Sequence, residues 1–513
     1  MKTTFVRWLV GIAATALAGC AGLGPRPELP EDRAIPPGEG TILDGIIAPV
    51  EVRHPGQSGF RLVSEGPEAF AIRARSAVAA GRSLDVQTYI FHDDLTGGFL
   101  GFRLVEAADR GVRVRLLVDD MDARSRNYAF AALDAHPNIE VRMFNPFASR
   151  SGQARFAAEL VGDFGRLNRR MHNKSWIADN RIAIVGGRNL GNEYFGASED
   201  VNFVDLDFAM VGPVVRQVSE SFDRYWNSSA AYPISVLAPD EANPAALEAL
   251  RKRIEAKLPA AEDSNFAREL RMSDALQRLT SGDWPMHWSP SFRFVSDDPL
   301  KVLGEGTGPA GSRVLEHLVP VVKGARTRLT VISPYFVPGK GGTAILRDVA
   351  QAGADVGVLT NSLAANDVAA VYGGYAQWRE PLLEGGVKLW ELKPSPGIEA
   401  KASMFGSSGA SLHTKSLAAD GRTLFVGSFN LDPRSASLNT EQGVFVDSEE
   451  LAAQLEALFA RDSSGERAWS VSLDAGHLRW TDEDGTYTRT PQASAWRKFQ
   501  AWLARVLPIQ SQL

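Results

Sequence analysis

The stretch His172-Asn173-Lys174-Ser175-Trp176-Ile177-Ala178-Asp179, with Gly186-Gly187-Arg188-Asn189 after it, decides the fold because it occurs twice. Its second copy is His413-Thr414-Lys415-Ser416-Leu417-Ala418-Ala419-Asp420, followed by Gly427-Ser428-Phe429-Asn430. The His, Lys, Asp, Gly and Asn positions keep one offset of 241 residues (413 − 172). A single copy would be weak, since short patterns arise by chance, but two copies with the same extension are strong. Working outward, Leu84 to Phe91 and Leu329 to Phe336 read as buried strands rich in β-branched and aromatic residues. Gly111 and Gly353 each close a helix, and Val112 to Asp119 and Val356 to Thr360 follow as strands. Two homologous strand, helix, strand halves with parallel strands are therefore expected.

The residue types suit a phosphodiester. In each copy His and Lys stand at i and i+2, so on a strand their side chains leave the same face. Lysine supplies a point charge for phosphate oxygens, and Asn adds a neutral donor after a glycine-containing turn that lets the backbone come close. Histidine, with an ordinary pKa of about 6.5, serves as nucleophile and as proton carrier near neutrality. Bringing the copies together would set two His, two Lys and two Asn around one phosphate, an arrangement that needs no metal and no cofactor. His54, His92, His136, His287, His317 and His477 lack a Cys or a second His at ligand spacing and read as surface or packed residues. The acidic pairs Asp93-Asp94, Asp119-Asp120 and Asp297-Asp298 read as helix caps and loop ends.

The duplicated H-x-K-x4-D-x6-G-[GS]-x-N pattern resembles that of the phospholipase D superfamily, over roughly residues 62 to 462. The resemblance implies an α/β fold of two phospholipase D-like halves, each a mixed β-sheet flanked by helices, packed about a pseudo-twofold axis. The active site would lie at their interface. It implies His172 as the nucleophile and His413 as acid and base, although the assignment is reversible, with Lys174, Lys415, Asn189 and Asn430 around the phosphate. The family's downstream acidic positions fall on Glu441, to orient His172, and on Asp205, to orient His413, with Asp207 as the competing choice for the latter. Asp179 and Asp420 belong to the motif but resemble family residues with a structural role.

The strings Gln87 to Phe91, Phe294 to Pro299 and Asn430 to Ser435, followed by Leu438 to Glu441, look like the bacterial cardiolipin synthase C branch. That branch implies phosphatidyl transfer, with phosphatidylglycerol as substrate and phosphatidylethanolamine as a second candidate. A phospholipase D that makes phosphatidic acid is the alternative, and a nuclease-type phosphodiesterase the second. With 55 Lys and Arg against 61 Asp and Glu, the net charge of −6 offers no global field for nucleic acid.

The chain's 513 residues, 44% hydrophobic, suffice for two cores, and its one cysteine, Cys20, excludes a disulfide framework. Lys2 and Arg7 precede an apolar run from Trp8 to Leu17 too short to span a bilayer, ending in Leu17-Ala18-Gly19-Cys20. This resembles a bacterial lipobox. It implies a signal peptide over 1–20, lipidation of Cys20, and a lipid-anchored protein of the bacterial cell envelope on the periplasmic side. Ala21 in place of an Asp points to the outer membrane. The remaining map expects a Pro/Gly-rich tether over 21–61 and halves over 62–237 and 290–462. A helical connecting segment would occupy 238–289, and a C-terminal extension 463–513. In that extension Trp496, Phe499, Trp502, Leu503, Val506 and Leu507 share a helical face, which suits an interfacial helix or packing on the second half.

Overall fold

The computed structural model describes residues 23–150, 152–272, 284–305, 311–394, 412–507 and 512. Two mixed sheets form the frame. The first contains β1 (Ser58–Val63), β2 (Ser83–Thr88), β3 (Arg113–Asp119), β4 (Ile139–Phe144), β5 (Ser175–Ala178), β6 (Ile182–Gly186), β7 (Asp207–Val211), β8 (Ala231–Pro233) and β9 (His287–Ser289). The second contains β10 (Phe292–Ser296), β11 (Arg328–Ile332), β12 (Asp355–Asn361), β13 (Lys388–Leu392), β14 (Ser416–Ala419), β15 (Thr423–Gly427), β16 (Gln442–Asp447), β17 (Ala468–Asp474), β18 (His477–Thr481) and β19 (Thr486–Tyr487). Their orders are β8-β4-β3-β2-β5-β6-β7-β1-β9 and β10-β16-β15-β14-β11-β12-β13-β17-β18-β19.

The centre of each sheet repeats. Parallel β2, β3 and β4 answer parallel β11, β12 and β13, and each motif hairpin, β5-β6 or β14-β15, runs antiparallel beside the first parallel strand. Crossover helices such as Leu95–Asp109 and Gly339–Gln351 cover the outer faces, as parallel strands require. Between the sheets lies one shared apolar layer. Ile177, Val185 and Phe208 of the first half meet Val426, Val444 and Leu424 of the second, with helices Pro213–Trp226 and Glu449–Asp462 between them. The α/β two-half arrangement expected from the repeat is present.

Three boundaries differ from the expectation. Residues 21–61 are not a free tether from Leu23 onward. Asp32 pairs with Arg113, Ala34 N–H donates to Asp223, and helix Ile42–Arg53 sinks Leu43 and Ile47 into the first core. Thr41 and Asp44 form a capping box, and Asp44 also binds Arg82 and Arg181. Proline and glycine exclude a regular period without preventing docking, and the partner arginines lie far along the chain. The expected C-terminal extension is likewise not an appendage, because β17 pairs with β13 and continues the second sheet into β18 and β19. Residues 287–289, at the end of the expected helical connecting segment, instead form β9, which pairs with β1 and covers that edge of the first sheet. The proposed signal segment and Cys20 lie outside the described residues.

Candidate active site

The two motif copies meet by exchanging backbone contacts across the halves. His172 N–H donates to Thr440 O (2.9 Å) and Thr440 N–H to Arg170 O (2.9 Å). In the mirrored place His413 N–H donates to Val204 O (2.8 Å). Each histidine thereby arrives beside the carboxylate of the opposite half: His172 Nδ1 lies 2.9 Å from Glu441 Oε2, and His413 Nδ1 lies 2.7 Å from Asp205 Oδ2. His172 and Lys174 sit just ahead of β5, and His413 and Lys415 just ahead of β14, rather than on those strands. The backbone N–H groups of both histidines find their acceptors in the other half, so neither motif strand is extended back through them.

Lys174 Nζ donates to His172 O (2.6 Å) and Lys415 Nζ to His413 O (2.5 Å), leaving each ammonium with further donors. Aromatic rings wall the imidazoles. Tyr89 stands edge-on to His172 and Tyr194 edge-on to His413, both at 5.4 Å between centroids, and Phe203 stacks on His413 at 5.3 Å.

Burial sets the electrostatics. It drives His172 down to about 4, against the pull of Glu441, and lowers His413 well below its ordinary value with help from Lys415 and Lys174. Lys415 falls to about 8, burial outweighing Asp205 and Glu441, and Lys174 also falls well below the usual range through burial. Burial tends to raise the Glu441 carboxyl, but His172, Lys174 and the Ser428 hydroxyl hold it below the ordinary value. Asp205 ends raised, because its burial outweighs the pull of Lys415, Arg188 and the Leu206 N–H. At neutral pH the site therefore holds two neutral imidazoles, with Glu441 ionised beside His172.

Of the residues expected here, His172, Lys174, His413, Lys415, Glu441 and Asp205 converge. Asn430 is buried, with no partner for its side-chain oxygen among the described residues, whereas Asn189 accepts from Ile90 N–H and donates to Tyr194 OH. Asp207, the competing choice, binds Arg73 and Arg188 instead. Asp179 and Asp420 stand at the far ends of the motif strands. Asp179 accepts from the N–H groups of Gly81, Arg82 and Ser83, and Asp420 from those of Arg326, Thr327 and Arg328. Each ties the hairpin turn to the start of its neighbouring parallel strand.

Several contributors went unread in the sequence. Ser428 and Ser435 donate to Glu441, and Asp119 accepts from both Arg170 and Met171 N–H, holding the segment that delivers His172. Asp119 and Asp94 also cap helices, as expected of the acidic pairs. His92, Asp94 and Glu193 bring one ligand-type atom each within 4.8 Å, a grouping that local spacing does not reveal. Asp94 already accepts from the N–H groups of Gly97 and Asn192, and His92 Nδ1 faces Glu193 at 3.2 Å.

The family described as "Cardiolipin synthase, PLD-like domain" matches residues 76–226 and 318–463. The chain is 41% identical over 482 residues to cardiolipin synthase C of Escherichia coli K12, covering 91% of this chain and 99% of that one. It is 23% identical over 404 residues to a cardiolipin synthase of Listeria monocytogenes, covering 78% and 68%. In fold it resembles the crystal structure of phosphatidylserine synthase from Haemophilus influenzae, with a TM-score of 0.56, 12% identity and coverage of 88% and 95%. The chain belongs to the cardiolipin synthase family of proteins with the phospholipase D-like domain.

Proposed function

We propose that the protein is a phosphatidyltransferase of cardiolipin synthase type, working through a phosphohistidine on His172. The observation that carries this reading is the crossed pair of His–carboxylate contacts, Glu441 on His172 and Asp205 on His413, around two buried lysines. In the first step the Nε2 lone pair of His172 attacks the phosphorus of one phospholipid. The bond to the leaving alcohol breaks, and His413, which takes up a proton when the phosphate's negative charge enters beside it, gives that proton to the leaving oxygen. In the second step His413 takes the proton of an incoming hydroxyl, which attacks phosphorus as the P–N bond breaks and its electrons return to His172. Lys174, Lys415 and Asn430 face the phosphoryl oxygens, whose charge they stabilise. Ionised Glu441 balances the positive charge on phosphorylated His172, which favours His172 over His413 as nucleophile.

The donor is phosphatidylglycerol or phosphatidylethanolamine, and the acceptor is the headgroup hydroxyl of phosphatidylglycerol. Cardiolipin synthase C of Escherichia coli, similar over almost its whole length, supports transfer over hydrolysis. A lipid anchor at Cys20 would keep the protein on the periplasmic face of the envelope. No helix among the described residues is long and apolar enough to cross a membrane. The test is mass spectrometry of products from phosphatidylglycerol vesicles with and without phosphatidylethanolamine, beside His172→Ala. Cardiolipin lost in the variant is the expected result. Phosphatidic acid alone would replace transfer by hydrolysis.

A further inference from the structure

The C-terminal helix Ala495–Val506 packs against helix Ala369–Ala376 through its smallest side chains. Ala501 and Ala504 are buried there, and Gly373 allows the contact, since a Cβ at that position would stand 2.3 Å from Ala501 O. Among the described residues nothing packs on the opposite side. Trp496 (64%), Phe499 (45%), Trp502 (57%) and Val506 (57%) are exposed, with the three rings stacked in a row at centroid spacings of 5.6 and 6.0 Å. The stripe read in the sequence is thus turned away from the core, which burying two alanines already satisfies.

The position of this ridge is informative. Helix Ala369–Ala376 follows the loop that leaves the C-terminal end of β12, and Arg497 Nε donates to Leu363 O in that loop (3.0 Å). At the same end Asn361 donates to Leu412 O, next to His413. Gln512 accepts from Asn168 across the halves (2.6 Å), four residues before His172. The ridge therefore borders the end of the sheets that carries the two histidines. Beside its first turn opens a cavity of about 490 Å³ lined by His477, Arg479, Arg489 and Lys498, with no carboxylate in its lining.

We propose that the C-terminal helix and this basic cavity dock the protein on an anionic bilayer. The aromatic row enters the boundary between headgroups and acyl chains, and the cavity receives a lipid phosphate. Aromatic residues beside Lys and Arg on one amphipathic helix suit that boundary, where an apolar body and a cationic flank are both satisfied. A second copy of the chain fits less well. A stable protein interface needs about 800 Å² a side with few charges at its centre, whereas this is one convex helix with cations at its root. The surface rests on the lipid-active reading only for the choice of vesicle, and binding is read separately from turnover.

The experiment uses the full chain with Cys20→Ser, so that no acyl group at residue 20 contributes and the chain has no other thiol. Phe499→Cys then carries a polarity-sensitive fluorophore, with Ala352→Cys, exposed at the opposite end of the second sheet, as the control. Phosphatidylglycerol vesicles should shift the label at 499 to the blue and leave that at 352 unmoved. In the Cys20→Ser background, Trp496→Ser with Trp502→Ser should weaken vesicle partitioning about tenfold or more. Arg479→Glu with Arg489→Glu should weaken it on phosphatidylglycerol but not on phosphatidylcholine. Turnover of a soluble short-chain phosphatidylglycerol should be unchanged in all of these, which also shows that they fold. An unmoved label at 499, or variants that bind as the parent does, would overturn the proposal. A blue shift that tracks protein concentration without vesicles would overturn it in favour of a second copy. Binding that persists in His172→Ala without any lipid product from the parent would fault the enzymatic reading and leave the docking surface standing.

Discussion

Glu441→Gln isolates the charge opposite the proposed nucleophile while keeping its shape. The carboxylate is fully buried, takes Nδ1–H of His172 at 2.9 Å, and is held by the hydroxyls of Ser428 and Ser435. A glutamine can keep that geometry by turning its carbonyl to His172 and its amide to Ser435, whose hydroxyl can accept. What disappears is the negative charge that faces the imidazolium formed when phosphorus is attacked. For charges about 4 Å apart at an effective dielectric near 20 this is worth about 4 kcal/mol, or roughly a thousandfold in rate. Because His172 is neutral in the resting site, substrate binding should change little, so the loss should fall on kcat rather than KM. Folding should also survive, since an isostere replaces a buried carboxylate. The assay is cardiolipin formation on mixed vesicles at pH 7, with thermal unfolding alongside. A folded Glu441→Gln enzyme within threefold of the parent kcat would refute the role given to this carboxylate.

Asp179→Ala should cost about 2–4 kcal/mol of stability, because three backbone N–H groups lose their acceptor and a non-glycine residue at φ 53° loses the side chain that favours it. Thermal melting checks this, and a collapse of kcat without loss of stability would contradict it. On a soluble substrate, kcat/KM should rise through a pH of about 4 as His172 loses its proton, decline once His413, held well below its ordinary value, loses its own, and show a further alkaline limb above about 8 as Lys415 is deprotonated. An alkaline limb unmoved in a residually active Lys415→Arg would remove Lys415 from the explanation. Folding has its own pH dependence. His172 drops from its ordinary 6.5 to about 4 in the folded site, so the unfolded chain takes up the proton first as pH falls. Its contribution to stability is full above about 6.5 and is lost on the way down through about 4, which His172→Ala should flatten in denaturant titrations. Gly187→Ala should abolish turnover, since its Cβ would stand 2.1 Å from Asp205 Oδ1, and a fully active variant would mean that Asp205 can move without consequence.

The repeat made the fold legible because the parallel strands of each half are buried on both faces, so they show as short apolar runs at matching offsets. The site was legible for a related reason. His172 and His413 must present the same atoms to one phosphate, so each half retains the same spacing. Features that depend on single distant contacts were not legible. The segment from Leu23 to Arg53 docks through charges whose partners lie at Arg82, Arg113 and Arg181. The C-terminal stripe announced an amphipathic helix, but only the close approach at Gly373 decides which side faces the core.

The asymmetry between the halves follows the same logic. Gly187 N–H reaches Leu206 O and Ser428 N–H reaches Gln442 O, so Asp205 and Glu441 occupy equivalent places. The shorter carboxylate lies so close to the turn that only glycine fits at 187. The longer one leaves space that the Ser428 side chain fills with a hydrogen bond. Gly-Gly with Asp and Gly-Ser with Glu are therefore two solutions to holding one imidazole. They leave Glu441 ionised with two hydroxyl donors and Asp205 with one backbone donor besides its histidine, Leu206 N–H. A partner held below its ordinary value suits a histidine that must carry a phosphoryl group, and one raised by burial suits a histidine that must pass a proton in both directions. Exchanging the pairs, with Ser428→Gly and Glu441→Asp in one half and Gly187→Ser and Asp205→Glu in the other, should then move the phosphoryl group from His172 to His413, read by acid-labile phosphate on the trapped peptide. Phosphate that stays on His172 in the exchanged enzyme would show that the carboxylates orient the histidines without choosing between them.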